Sequence, residues 1–151
     1  MNIAIVGATG NVGRKILEVL EKKNFSIENI YFVASSKSAG SKLKFKGKEI
    51  EVKSLETFDF SKANITFFSA GGKISEQYAP IAAQQSIVID NSSFFRMDPD
   101  VPLIVPQVNS NDIKNMKKNI IANPNCSTAQ LVIILKPLHD LFNIKRVIIS
   151  T

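Results

Sequence analysis

The sequence predicts an α/β fold with a doubly wound, mainly parallel sheet and helices on both faces. Two observations carry that expectation. Short apolar runs of strand length alternate with segments of helical period along the whole chain. A glycine-rich turn joins the first apolar run to the first helical segment, a place where open α/β sheets gather ligands. At 151 residues the chain is the size of one ordinary domain, long enough to bury a core.

The elements follow in order. Asn2 to Val6 reads as a strand ended by glycine. Val12, Ile16, Leu17 and Leu20 recur on one face of a helix. Asn29 to Ala34 is the second strand. Between Leu43 and Val52 the period becomes two, and the turn around Gly47 makes a hairpin that adds to the sheet or packs at its edge. Ile65 to Ser69 is a strand, Ile74 to Gln84 a helix, and Ser86 to Asp90 a strand. Asn91 to Pro102 shows no period and is expected to be a loop. Leu103 to Val108 and Ile120 to Ala122 are expected to be extended, with a short helix near Ser110 to Lys118 between them. Ser127 to Phe142 reads as a helix that Pro137 kinks or restarts. Arg146 to Thr151 is expected to be a final strand, the opening of a further unit after a domain spanning residues 1–145.

Composition excludes several classes. Hydrophobic residues are 44% and charged residues 21%, as in soluble globular proteins. No apolar run approaches the ~20 residues needed to span a bilayer. The first residues read as a strand and not as a secretory leader. One cysteine leaves no internal disulfide and suits a reducing compartment, so the expected location is cytoplasmic. The net charge of +6 comes largely from lysines between Lys37 and Lys53 and from Lys114, Lys117 and Lys118. No stacking aromatics are interleaved with them, so a solvated surface is expected, with anionic small molecules as partners and no nucleic acid or membrane. No metal is called for.

Three motifs carry chemistry. Gly7-Ala8-Thr9-Gly10-Asn11-Val12-Gly13 follows a strand and opens a helix, the context a dinucleotide pyrophosphate site requires. Its spacing is G-x-x-G-x-x-G. Past the second strand, Ser35-Ser36-Lys37-Ser38 offers hydroxyls and a cation but no carboxylate, which suits the 2′-phosphate of NADP better than the ribose hydroxyls of NAD. The bland alternative there is a polar loop that happens to carry a lysine.

The second motif is Asn123-Pro124-Asn125-Cys126-Ser127-Thr128. Pro124 favours extended backbone before it, and Ser127 or Thr128 can help start the helix. Cys126 then stands at a helix N-terminus, where partial positive charge favours the nucleophilic thiolate. The third is Asp90-Asn91-Ser92-Ser93-Phe94-Phe95-Arg96-Met97, at a strand's carboxyl end. Arg96 suits phosphate or carboxylate recognition, and an ion pair with Asp98 or Asp100 is the structural alternative. His139, the only histidine, lies thirteen residues beyond Cys126 and reads as a surface or structural residue.

Together with Ser69-Ala70-Gly71-Gly72 and Val105-Pro106-Gln107-Val108-Asn109, these blocks resemble, in order, the landmarks of aspartate-semialdehyde dehydrogenase, over the whole chain. The resemblance implies a Rossmann-like NADP-binding portion and NADPH-linked reductive dephosphorylation of aspartyl phosphate in lysine, threonine and methionine synthesis. It implies that Cys126 forms a thioacyl intermediate, that Asn125 holds the carbonyl and oxyanion, and that Arg96 binds phosphate. Gly7, Thr9, Gly10, Asn11, Val12 and Gly13 would hold the pyrophosphate. Ser36, Lys37 and Ser38 would hold the 2′-phosphate, and Ser69, Ala70, Gly71 and Gly72 would lie along the cofactor. The family usually has arginine at Lys37 and glutamate at Gln107, so the bidentate fork is lost at the first and a charge at the second. Its substrate-binding arginine, its acid–base histidine and its dimer-forming catalytic α+β domain lie beyond residue 151. These residues alone are therefore expected to expose apolar surface and not to turn over. N-acetyl-glutamyl-phosphate reductase shares the chemistry, but it places glycine before its cysteine where this chain has Asn125. A cofactor-binding module without catalysis is the other alternative.

Overall fold

A computed structural model describes residues 1–150 of the chain. Seven strands form one sheet in the order β3-β4-β2-β1-β5-β6-β7. They are β1 (Asn2–Val6), β2 (Asn29–Ala34), β3 (Lys42–Phe45), β4 (Lys48–Ser54), β5 (Ile65–Phe68), β6 (Ile87–Asp90) and β7 (Ile120–Ala122). All neighbours are parallel except the β3–β4 hairpin, which turns at Lys46-Gly47 and joins the sheet edge through β4 against β2. Helices α1 (Asn11–Lys22) and α2 (Gly72–Ala82) make crossovers, and α3 (Pro106–Asn109) and α4 (Cys126–Phe142) follow.

Strand alternation divides the core between the two faces of the sheet. Ile3, Ile5, Ile30 and Phe32 pack with Leu17 and Leu20 of α1. Val6, Val33, Phe68 and Val88 pack on the opposite side with Ala79 and Ala82 of α2. Helices thus cover both faces, as the alternating pattern predicts. Burying one such aliphatic or aromatic side chain contributes about 1.5–3 kcal/mol, so the central strands supply most of the fold's stability.

Several local expectations are corrected. Val12 does not share the buried stripe of α1: it is 45% exposed, while Gly13, Leu17 and Leu20 are buried. A step of one residue turns a helix by about 100°, which takes Val12 off the face that Gly13 presents to the sheet. Leu103 to Val105 of the segment 103–108 are extended, with Leu103 and Ile104 bonded beside Ala122 of β7. Pro106 then opens α3 at its first position, where a locked φ and a missing N–H suit a helix start. The Val105 N–H donates to Asn109 Oδ1 at 2.8 Å and closes that turn. The loop after β6 contains a 3-10 turn at Phe94–Met97, while the short helix expected near Ser110 is present as a 3-10 helix over Ser110–Asn115. Helix α4 runs on through Pro137.

Residues 146–150 form no strand. An apolar run becomes a strand only against a partner ladder, and none of the described strands pairs with it. Thr151, the end of that expected strand, lies outside the described residues. Ile134, Leu141, Phe142, Ile148 and Ile149 are all more than half exposed, so α4 and the segment after it carry an uncovered apolar surface. The lysines behind the net charge lie at the surface. Lys42 pairs with Glu49, Lys117 with Asp100 and Lys118 with Asp98.

Candidate functional site: a glycine-turn cavity and a cysteine at a helix start

At the carboxyl ends of β1, β2 and β5 the backbone opens into a cavity of about 470 Å³. Gly7, Thr9 and Gly10 line it from the glycine turn, Ala34 and Ser35 from the end of β2, and Ser69 and Ala70 from the end of β5. Gly7 sits at φ +85°, and a Cβ there would lie 2.9 Å from the Ser69 carbonyl. A Cβ on Gly13 would lie 2.2 Å from the Gly7 oxygen and 2.8 Å from the Ala8 Cα. The two glycines let α1 start directly beneath the turn, which leaves the free amides of its first turn close to the end of β1. A cradle whose walls a Cβ would fill fits a dinucleotide pyrophosphate. Ser69 secures the opposite wall, its Oγ donating to the Val6 carbonyl at 2.9 Å.

Asn11 and Val12 lie exposed in the first turn of α1, and Gly71 and Gly72 begin α2, all outside the cavity lining. Ser36, Lys37 and Ser38 form a tight turn whose Ser38 N–H donates to the Ser35 carbonyl at 2.9 Å, and they too lie outside the lining. The cavity instead contains Glu56, with Leu55, Ile74, Gln77 and Tyr78. The absence of a carboxylate near the end of β2 is therefore true of the local sequence and untrue of the folded site. Ala34 and Ser54 are register partners in the parallel β2–β4 pair, so the 3-10 turn Leu55–Thr57 starts beside the end of β2. The only signal of this in the sequence was the hairpin, whose pairing partner it did not name.

Cys126 is the first residue of α4 and is exposed. The cap is Asn125, correcting the expectation that Ser127 or Thr128 starts the helix. Asn125 Oδ1 accepts from the Ser127 N–H at 3.0 Å and from Ser127 Oγ at 2.7 Å, and Cys126 Sγ lies 3.8 Å away. Its oxygen is thus committed to the cap, which leaves its amide nitrogen to donate elsewhere. Asn125→Ala is expected to lower unfolding free energy by about 1 kcal/mol, with Asn125→Ser nearly neutral. Urea unfolding at unchanged slope checks this, and equal loss in both variants would remove the cap from the account.

The Asp90 block is bonded to the cysteine loop. Asp90, fully buried, accepts from Ser75 Oγ at 2.7 Å, Ser92 Oγ at 2.6 Å and the Ser92 N–H at 3.1 Å. Its carbonyl accepts from the Asn123 N–H at 2.8 Å. Arg96 Nε donates to the Asn123 carbonyl at 2.9 Å, and its Nη2 donates to the Asn91 carbonyl at 3.3 Å. The alternative ion pair of Arg96 does not form. Asp98 and Asp100 are engaged by Lys118 and Lys117, whose ammonium groups hold both carboxyls below their usual range. The N–H groups of Arg96 Nη1 have no protein partner among the described residues, and its contact at Asn123 is three residues in sequence from Cys126. His139 is exposed in the last turn of α4, away from this site, and Gln107 is exposed. Among the described residues no group of three His, Cys, Asp or Glu side chains could hold a metal ion, and no helix is long and apolar enough to cross a membrane.

Residues 2–116 match the family model of the semialdehyde dehydrogenase NAD-binding domain. The chain belongs to that family. Among its relatives, the aspartate-semialdehyde dehydrogenase of Campylobacter jejuni is 56% identical over 153 residues, covering 99% of this chain and 45% of the relative. The crystal structure of aspartate semialdehyde dehydrogenase II complexed with ASA from Vibrio cholerae superposes with a TM-score of 0.89 at 49% identity, covering 92% of this chain and 46% of that one. The Candida albicans aspartate semialdehyde dehydrogenase, solved with NADP, gives a TM-score of 0.75 at 30% identity, with 93% and 47% covered. This member of the semialdehyde dehydrogenase family corresponds to the N-terminal portion of those enzymes and spans about 45% of their length. The matched family model is that of an NAD-binding domain, which supports a nicotinamide cofactor for this fold.

Proposed function

We propose that this chain is the cofactor-binding and nucleophile-bearing portion of an NADPH-dependent aspartate-semialdehyde dehydrogenase. The reaction is the reductive dephosphorylation of L-4-aspartyl phosphate to L-aspartate 4-semialdehyde, a cytoplasmic step toward lysine (through diaminopimelate), threonine and methionine. The observation that carries this reading is the bonding of Arg96 to Asn123, which ties a guanidinium to the loop bearing Cys126, at the same carboxyl edge of the parallel sheet as the glycine-turn cavity.

The Cys126 thiolate attacks the acyl-phosphate carbonyl, the C–O bond to phosphate breaks, and a thioester remains on Sγ. The free Nδ2 of Asn125 and the first amides of α4 donate to the oxygen that becomes negative. Arg96 holds the phosphate through the N–H groups its carbonyl partners leave free. When bound, the nicotinamide cofactor supplies the hydride that converts the thioester to the aldehyde and returns the thiolate. Gly7, Thr9, Gly10, Asn11, Val12 and Gly13 form the pyrophosphate cradle. Ser36, Lys37 and Ser38 offer hydroxyls and a charge to the 2′-phosphate, and Ser69, Ala70, Gly71 and Gly72 form the wall along which the cofactor extends.

Residues 1–145 make up the cofactor unit and 146–151 begin the catalytic portion found in longer relatives, through which the family forms homodimers. Among the described residues the one side-chain hydrogen-bond partner of Cys126 is Asn125 Oδ1, which is no acid or base. A positioned acid or base contributes about 10²–10⁴-fold, so the purified chain binds cofactor and does not turn over. Titration by cofactor fluorescence is expected to give saturable NADPH binding that weakens in Lys37→Ala. The same preparation is expected to show no NADPH formation from aspartate semialdehyde, phosphate and NADP. Turnover by a homogeneous sample overturns the inactivity, and a folded chain that binds neither NADPH nor NADH overturns the cofactor reading.

A further inference from the structure

The β4 edge brings a carboxylate to a place where the dinucleotide reading calls for hydroxyls and a cation. Glu56 lines the crevice together with Ala34 and Ser35, the residues that end β2. In doubly wound folds the end of the second strand is where the adenine ribose and its 2′ substituent are read. The carboxylate is held in position. Ser54 Oγ donates to it. The Ser54 hydroxyl first, and then the Glu56 and Ser36 amides, hold its carboxyl below the usual range.

The backbone beneath it is anchored from both sides. Leu55 and Phe60 are 5% exposed, and Phe58 packs edge-on against Phe60 at 5.2 Å and, tilted, against Tyr31 at 5.6 Å. Lys37 forms no ion pair with Glu56 or with any other carboxylate among the described residues. The rim of the ribose end therefore carries an unneutralised negative charge with Lys37 as a separate, exposed positive one.

We infer that Glu56 is a cofactor-specificity residue: its carboxylate accepts from the 2′-hydroxyl of NAD(H) and opposes the 2′-phosphate of NADP(H), narrowing the preference that Lys37 favours. A carboxylate accepting from a ribose hydroxyl is the interaction that selects NAD in related folds. A 2′-phosphate at the same position brings two like charges together in a partly solvated cleft, where repulsion is reduced by water but not removed. The inference rests on the cofactor-site reading and concerns only how the 2′ position is read.

The test measures dissociation constants for NADPH and NADH with the whole chain and with Glu56→Gln and Glu56→Thr, by cofactor fluorescence at fixed ionic strength. The two variants keep a polar side chain at an exposed position, so folding is preserved and circular dichroism verifies it. The unaltered chain is expected to bind the two cofactors within about tenfold of each other. Each variant is expected to tighten NADPH by about 5- to 30-fold and to weaken NADH, with the gain for NADPH shrinking as salt is raised. A Kd ratio that moves toward NADPH by threefold or more supports the inference. A ratio that moves less, or both constants shifting together, overturns it and leaves Glu56 a structural residue. Binding of neither cofactor by the folded, unaltered chain overturns the cofactor-site reading and this inference with it.

Discussion

Gly13→Ala is expected to cost at least about 3 kcal/mol of stability and to weaken NADPH binding by about 100-fold or more. The added methyl would stand 2.2 Å from the Gly7 carbonyl oxygen, 2.8 Å from the Ala8 Cα and 2.9 Å from the Gly7 carbonyl carbon. All three are backbone atoms, so no side-chain rotation relieves the contact. Either α1 withdraws from the turn or the turn leaves the end of β1. In both cases the first amides of α1 shift away from the glycine turn, where the cofactor pyrophosphate is proposed to bind. Gly10→Ala is the control for melting alone, since Gly10 itself lines the cavity. Its Cβ would meet only the Gly7 oxygen, at 3.4 Å, and its φ of −76° suits alanine. Thermal melting of the two variants side by side and NADPH titration of Gly13→Ala test the account. If Gly13→Ala melts with the unaltered chain and binds as well, the tight seat of α1 is not what shapes the site.

Asp90→Ala is expected to destabilise the fold by about 3–5 kcal/mol, which for a domain of this size lowers Tm by roughly 10 °C or more. Asp90 has no exposed surface and accepts three hydrogen bonds. Its removal leaves the Ser75 hydroxyl, itself fully buried, and the Ser92 N–H facing an apolar gap. A buried donor left without a partner costs about 1–3 kcal/mol, before the cavity is counted. The effect extends to the site, because the turn that Asp90 organises presents Asn91 and Arg96 to the Asn123 loop. Alkylation of Cys126 followed by mass spectrometry is therefore expected to change in rate along with the loss of stability. Ser75→Ala removes one of the three donors and is expected to cost about a third as much. A loss below about 1 kcal/mol for Asp90→Ala in urea unfolding would show that the block holds itself in place by other contacts.

Much of the fold was legible because it depends on periodicity. The runs Asn2–Val6 and Asn29–Ala34 are strands over those same residues, and the hairpin turns at Gly47 as expected. Boundaries failed where a single group decides them. Pro106 ended an extended segment, and Asn125, rather than Ser127 or Thr128, capped α4. The final apolar run showed the opposite failure. Residues 146–150 have strand-forming side chains but no neighbour to bond with, and β-structure is a property of pairs.

By itself the sequence determined the α/β class, the glycine turn between β1 and α1, and the presence of Cys126 at the head of a helix. Each depends on residues close together along the chain, where backbone sterics and side-chain period act without help from distant segments. Only the tertiary structure decided that Arg96 bonds to Asn123, 27 residues away, in preference to its neighbours Asp98 and Asp100. It likewise carried Glu56 to the end of β2, because β4 pairs in parallel with that strand and delivers the next turn to the same rim. Both outcomes come from the register between strands, which depends on how side chains pack across the sheet and is not written in any one segment.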